Sequence, residues 1–475
     1  MKKHSLFKVI SMILVLLVII SWIAVGRNDV KSYIGFGDLF LNGIRSVYFF
    51  FDIFLFILIV GGFYGVLNKS SGYKKLLDSI VSKVKKLGNK FIYLVIILFA
   101  LVSALTGMDM LIFMFIPFVI SIILLLGYDK LVAISATVVS SVIGVIGGVF
   151  VTFKDPNNYY GTTNTTMEKF VGIEENFANV FPKLLLLVLG VALLIFYVSR
   201  HIKSVKDKKV KYELNTDSDS LLVTEVKGDY KKVKSWPLIV VLAFLFVYTV
   251  IGVMPWNTLF KVDIFTKFHT WLVGLGTKDF SIFNNLISSS FTALGEWNSN
   301  SLGNYMMPMI IMLILSLVVK FISHIKFDEY VDAFINGMKK LLPSAFVVVL
   351  AYSVLVGAYN HGFLSTLISK TDYNIGLAGL YSLVGSILHV DLYYTSVGVF
   401  SSIISLVEDE ALYPVLAVLF QGFYGLINIV GPTSLLLIVV LTYLDVPYTT
   451  WLKYIWRLFL YLFIVICLVL AIMLI

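Results

Sequence analysis

A chain of 475 residues with 59% hydrophobic and only 14% charged side chains, at a mean hydropathy of +0.94, is no soluble domain, since those carry roughly 25% charged residues. A formal charge of +9 invites a nucleic-acid reading, yet the basic residues are sorted by loop and not gathered with aromatics, which excludes that class. The single cysteine, Cys467, lies in the last apolar run, so neither an intrachain disulfide nor a cysteine metal cluster can form.

The first apolar run, Phe7 to Ala24, follows Met1-Lys2-Lys3-His4 and ends at Ala24-Val25-Gly26, a small-x-small pattern that resembles a cleavage site. The run exceeds the usual signal-peptide core of about 7 to 15 residues, so a retained first helix is expected. Tyr48 to Leu67 is the second membrane-length run, and it carries Asp52. Lys69 to Lys90 then combines seven lysines with Leu76, Leu77, Ile80, Val81, Val84 and Leu87 at helical spacing, as an amphipathic, lipid-facing connector would. Further long runs are Leu184 to Val198, Pro237 to Val253, Met307 to Val319 and Leu452 to Ile475.

Charge sorting gives a topology. The amino terminus, Lys69 to Lys90, Lys130, Arg200 to Lys234, Lys320 to Lys340, Lys453 and Arg457 hold most of the 37 lysines and arginines, and the positive-inside rule places them in the cytoplasm. Arg27 to Arg45, Lys154 to Lys183, Lys261 to Lys278, Lys370 and Glu408-Asp409-Glu410 then face out. This sorting requires Phe91 to Gly127 to enter and leave on the inside, and Gly376 to Val407 to enter and leave on the outside. Each is therefore expected to be a reentrant hairpin, turning at Thr106-Gly107-Met108-Asp109 and at His389-Val390-Asp391.

Two segments recur. Asp38-Leu39-Phe40-Leu41-Asn42-Gly43 returns as Asp332-Ala333-Phe334-Ile335-Asn336-Gly337, and Leu98 to Asp109 runs parallel to Leu380 to Asp391. The expected fold class is an all-α polytopic membrane protein of two inverted repeats with reentrant hairpins and broken helices. Its divisions are a first repeat (1–200), a cytoplasmic linker (201–235), a connecting transmembrane helix (236–254), an outer interfacial segment (255–301) and a second, inverted repeat (302–475).

Carboxylates inside apolar runs number three, Asp52, Asp109 and Asp391, and an ionisable group at membrane depth faces a cavity or a partner. Asp109 and Asp391 fall at matching places in the second repeated pair, which marks them as functional candidates. Ser103, Thr106 and Gly107 surround the first, and Gly385, Ser386 and His389 the second. Small and hydroxylic residues suit a reentrant tip, whose backbone needs partners other than lipid. After each hairpin comes a helix that breaks: Ser140 with Gly147 and Gly148, then Gln421, Asn428 and Gly431-Pro432-Thr433-Ser434. Paired Gly/Pro interruptions point to a transporter site, although close helix packing explains the first set almost as well.

Val60-Gly61-Gly62-Phe63-Tyr64-Gly65, Ile116-Pro117 with Leu126-Gly127-Tyr128-Asp129, and Asn428 to Ser434 with Val446-Pro447-Tyr448 and Trp451 resemble YfcC-type members of the anaerobic dicarboxylate carrier (DcuC-like) family. The resemblance spans nearly the whole chain. It implies ion-transporter superfamily architecture, a homodimer and elevator-like alternating access, with dicarboxylates or basic amino acids such as arginine and ornithine as substrates. It also implies binding roles around Gln421, Asn428, Pro432, Thr433 and Ser434. The chain departs from the family pattern at the second hairpin tip, at the reduction of paired acids to Asp109, and at Asp155-Pro156-Asn157.

With two paired carboxylates and no Lys or Arg inside the predicted core, a basic amino acid exchanger is the leading expectation, and a Na+ or H+ coupled dicarboxylate carrier the alternative. No cofactor is expected beyond a coupling ion. The expected setting is the plasma membrane, multi-pass with a cytoplasmic amino terminus, with lipid, a small-molecule substrate and a second copy as partners and no nucleic acid. Gly35-Phe36-Gly37-Asp38 and Tyr128-Asp129 spell the short motifs of intramembrane aspartyl proteases, but in reversed order and on opposite predicted faces. Nucleotide and zinc-protease signatures are absent, so no enzyme is expected.

Overall fold

The computed structural model describes residues 5–25, 33–107, 110–148, 151–154, 162–165, 177–209, 233–254, 256, 261–277, 280–286, 288, 291, 294 and 303–475. Among them, nine helices are long and apolar enough to cross a membrane, and four shorter apolar helices lie between these. The elements run α1 (Ser5–Val25), α2 (Phe36–Phe49), α3 (Phe51–Lys69), α4 (Ser71–Val84), α5 (Asn89–Thr106), α6 (Ile116–Leu125) and α7 (Lys130–Ile146). Strands β1 (Val151–Lys154) and β2 (Thr162–Thr165) follow, then α8 (Phe177–Lys206), α9 (Trp236–Val253), α10 (Ile264–Val273) and α11 (Ile282–Leu286). The chain continues through α12 (Gly303–Ile322), α13 (Phe327–His361), α14 (Phe363–Ser369), α15 (Ile375–Leu388), α16 (Leu392–Ile404), α17 (Tyr413–Val430), α18 (Leu435–Tyr443) and α19 (Tyr448–Met473). The protein is an all-helical, multi-pass membrane protein apart from one antiparallel two-stranded ribbon, Val151 paired with Thr165, which the all-α expectation did not include.

One group of helices is organised by α3 and α13, which pack more extensively than any other pair and gather α1, α2 and α12 around them. Small residues set this contact. A Cβ on Gly61 would lie 2.6 Å from the Gly337 carbonyl oxygen, and one on Gly65 would lie 2.2 Å from that of Ala333. Gly62 faces the Phe334 ring in the same way. Helices that meet backbone to backbone gain dispersion contacts which lipid tails cannot match. Farther along, the Ser46 hydroxyl donates to the Val349 carbonyl at 3.1 Å and meets the Ser353 hydroxyl at 3.0 Å. Contacts that pair rising numbers in α2 and α3 with falling numbers in α13 mean that the helices are antiparallel. The two Asp-x-Phe-x-Asn-Gly copies therefore sit at opposite ends of the pair. In the first copy Asp38 caps its own helix, accepting from the Gly35 N–H at 2.8 Å.

The second group is built on α7 and α17, which pack against each other; α5 lies on α7 as α15 lies on α17, and α8 and α19 close the outside. Both hairpins double back. Tyr128 after α6 donates to Asn89 Oδ1 at the start of α5 at 2.9 Å, so the chain returns to its point of entry. In the second, a Cβ on Gly385 would touch Val399 at 2.7 Å and one on Gly398 would touch His389 at 2.5 Å, so α15 and α16 run antiparallel in close contact.

The amphipathic helix α4 turns its apolar face, Tyr73, Leu76 and Leu77, into the protein against α6 and α9. That corrects the expectation of a lipid-facing connector.

Candidate functional site

Two helices share an unusual build. In α7, Asp129 is the N-cap, its carboxylate accepting from the Val132 N–H at 2.8 Å, and the helix widens into a π turn over Ser135–Val139. In α16, Asp391 is the N-cap, accepting from the Tyr394 N–H at 2.9 Å, and a π turn covers Ser396–Phe400. Asp391 and Asp129 thus share a local build, an N-cap followed by a π turn. Asp109 lies outside the described residues, and so does Met108. Asp129 is buried and receives His201 Nε2 at 2.7 Å, with the Tyr454 ring beside the imidazole and Tyr454 Oη 3.0 Å from Ser135. That network ties α7 to α8 and α19. The protease reading loses its basis, because Asp38 and Asp129 each serve as helix caps on separate elements.

The first hairpin tip contains Ser103, Thr106 and Gly107. Gly107 ends α5 in the left-handed region at φ +64°, where an L side chain is disfavoured. Thr106 Oγ1 donates to the Val102 carbonyl at 2.5 Å, and Ser103 lies under Gly144 of α7, where a Cβ would come within 2.7 Å of the serine. Ser140 donates to the Ala136 carbonyl at 2.7 Å inside its own helix.

The break after α7 is held from across the protein. Gln421 in α17 is fully buried, and its Nε2 donates to the Val145 carbonyl at 2.7 Å and to the Gly148 carbonyl at 2.6 Å. Gly147 permits the backbone of α8 to press against this end, for a Cβ there would lie 2.4 Å from Leu187 Cβ. The neighbouring contact of Gly190 with Ile143 shows that α8 runs antiparallel to α7. Lys183, one turn before Leu187, therefore stands just past the break. It is 2% exposed. This overturns the expectation of a core without lysine or arginine.

The second break brings a hairpin and a broken helix together. Thr433 Oγ1 donates to the Ile387 carbonyl at the end of α15 at 2.7 Å, and Ser434 Oγ to the Asn428 carbonyl at 2.8 Å. Asn428 Nδ2 donates to the Tyr424 carbonyl at 2.9 Å. Trp451 and Tyr448 of α19 donate to the Ile429 and Val430 carbonyls at 3.0 and 2.5 Å, satisfying groups that Gly431 and Pro432 free. Ser386 donates within α15 to the Ser382 carbonyl at 2.7 Å, and Gly385 makes room for Val399. His389 is buried edge-on to Tyr359, and its Nδ1 has no hydrogen-bond partner among the described residues.

Val390 at the tip has φ +62°, rare for a β-branched residue, and the Asp391 N–H reaches back to the His389 carbonyl at 2.6 Å around it. Helix α16 lies beside β1, and α18 lies beside the 3-10 turn Met110–Met114, so each hairpin approaches the break of the other half.

Lys183, the Asp129–His201 pair and the π turns escaped the sequence reading. The lysine had a signal: it follows Pro182 at the head of an apolar run, where a helix begun one turn earlier encloses it.

A model of the C4-dicarboxylate anaerobic carrier (DcuC) family matches residues 47–475. A Haemophilus influenzae protein described as uncharacterized is 30% identical over 95 residues, a match that covers 20% of this chain and 18% of that protein. The crystal structure of the Alcanivorax borkumensis YdaH transporter, described as having an unusual topology, aligns at 14% identity over 98% of both chains with a TM-score of 0.39.

Proposed function

Because the chain belongs to the C4-dicarboxylate anaerobic carrier family, we propose that this secondary transporter carries a small dicarboxylate through a site formed by the two hairpin tips and the two helix breaks. The observation that carries the reading is Lys183. A buried ammonium beside the first break puts positive charge at membrane depth, where it attracts a carboxylate. The case for a basic amino acid drew on two paired carboxylates and on a core without Lys or Arg, and the burial of Lys183 weakens its second ground. The second Nδ2 proton of Asn428 adds a donor at the second break, where the hydroxyl protons of Thr433 and Ser434 are already given to carbonyls.

The antiparallel pair of α2–α3 with α13 supports an inverted repeat with alternating access, and the cytoplasmic placement of the basic loops supports a cytoplasmic amino terminus in the plasma membrane. Na+ or H+ coupling and a homodimer belong to the same reading.

The test is thermal unfolding of the purified protein with added succinate, malate, arginine and ornithine. A ligand of the native state raises the melting temperature by mass action. Dicarboxylates should stabilise the parent, and Lys183→Gln should weaken their apparent affinity about tenfold or more, as for loss of a charged hydrogen bond of roughly 1.5 to 3 kcal/mol. Stabilisation by arginine alone would overturn the reading.

A further inference from the structure

Gln421 is built to be read by a ligand. Its side chain is fully buried in α17, and both of its amide protons are committed, to the Val145 and Gly148 carbonyls at 2.7 and 2.6 Å. Those two acceptors fix which end of the amide is nitrogen, since the flipped amide would set oxygen against two carbonyl oxygens. Oε1 is then left with no hydrogen-bond partner among the described residues. Buried polar atoms in folded proteins are nearly always paired, so an orphan acceptor at a helix break asks for an occupant.

The surroundings say what kind. Val145 to Gly148 form the carboxyl end of α7, where the helix dipole favours a donor or a positive group. A carboxylate is an acceptor only and cannot satisfy Oε1. A hydroxyl or an ammonium can. Lys183 stands past the same break on α8, so acceptor and cation flank one stretch of chain.

We propose that Gln421 Oε1 accepts a hydrogen bond from the substrate, so that the preferred dicarboxylate bears a hydroxyl or an ammonium on the carbon next to one carboxylate. This rests on the dicarboxylate reading above and narrows it. An unsubstituted dicarboxylate leaves Oε1 unpaired once it has closed the site to water, and a site that hydrogen-bonds a substituent rejects analogues lacking it.

The experiment is a ligand series on the full-length purified protein, with apparent affinities taken from melting-temperature titrations of succinate, malate and aspartate, each in Na+ and in K+ buffer. Malate or aspartate should bind at least tenfold more tightly than succinate in both buffers, about 1.4 kcal/mol. In Gln421→Met that preference should fall to within twofold. Equal binding of succinate and malate by the parent overturns the inference and assigns Oε1 to a structural water. Succinate rising to the affinity of malate only in Na+ overturns it in favour of a coupling cation on Oε1. A preference that survives Gln421→Met also overturns it. The series in the parent decides the matter even where the variant does not fold. If the parent binds none of the three, the dicarboxylate reading falls first and this inference with it.

Discussion

Val390 is buried at the tip of the second hairpin with a backbone angle of φ +62°, in a region where a β-branched residue is held only because its surroundings over-determine it. Left-handed backbone costs an L residue roughly 1 to 2 kcal/mol, and glycine is free of that cost while losing up to about 1 kcal/mol through unfolded-state entropy. Loss of the buried side chain costs roughly 1.5 to 3 kcal/mol as well, so Val390→Gly is expected to lower the melting temperature less than the same change at other buried valines. A loss as large as that of Val348→Gly would show that Val390 carries no strain. At Asp129 two roles can be separated. Asn caps a helix as well as Asp does, whereas Ala costs roughly 1 kcal/mol, so Asp129→Asn isolates the loss of charge facing His201. In a double-mutant cycle with His201→Gln, a coupling of about 1 kcal/mol or more is expected for a contact this well buried, and additive effects in thermal unfolding would refute it. The sequence pairs Asp391 with Asp109 through the parallel of Leu98 to Asp109 with Leu380 to Asp391. That Asp391 and Asp129 both cap a helix with a π turn is visible only in backbone geometry.

Glycines decide how the long helices meet. Gly337 faces Gly61 so closely that a Cβ would lie 2.1 Å from the Gly61 carbonyl oxygen, and backbone on both sides cannot step aside. Gly337→Val should cost at least the roughly 1 to 3 kcal/mol of core overpacking. Gly37→Ala, in a helix and with nothing within 4 Å, should hold the melting temperature or raise it slightly. A folded, equally heat-stable Gly337→Val protein would mean that α3 and α13 are not held by this contact. The helices themselves were legible because bilayer length and apolar composition are written in every run, and the hairpins followed from charge sorting. The ribbon of β1 and β2 was not, since Thr162-Thr163-Asn164-Thr165 has no alternation of apolar and polar residues to mark a half-buried strand. Nor was the inward face of α4 legible, for an amphipathic pattern does not say whether its apolar side meets lipid or protein.

For the molecule as a whole, the antiparallel course of α2–α3 and α13 makes a labelling experiment decisive. Asp38→Cys and Asp332→Cys, in a background where Cys467 is replaced, should react with impermeant thiol reagents from opposite sides of the membrane, Asp38 from outside. Labelling of both from one side would remove the inverted arrangement. The helix breaks were legible from Gly/Pro interruptions. The burial of Lys183 and the committed amide of Gln421 were not, because they depend on how α8 and α17 lean on α7. The seam between α3 and α13 has a mechanical consequence. Gly61, Gly62 and Gly65 fit against Ala333, Phe334 and Gly337 like teeth in a rack, and sliding by one residue would drive side chains into carbonyls. That seam can act as a fixed rail but not as a sliding joint, so under the alternating access proposed above the travel would fall to the helices around α7 and α17.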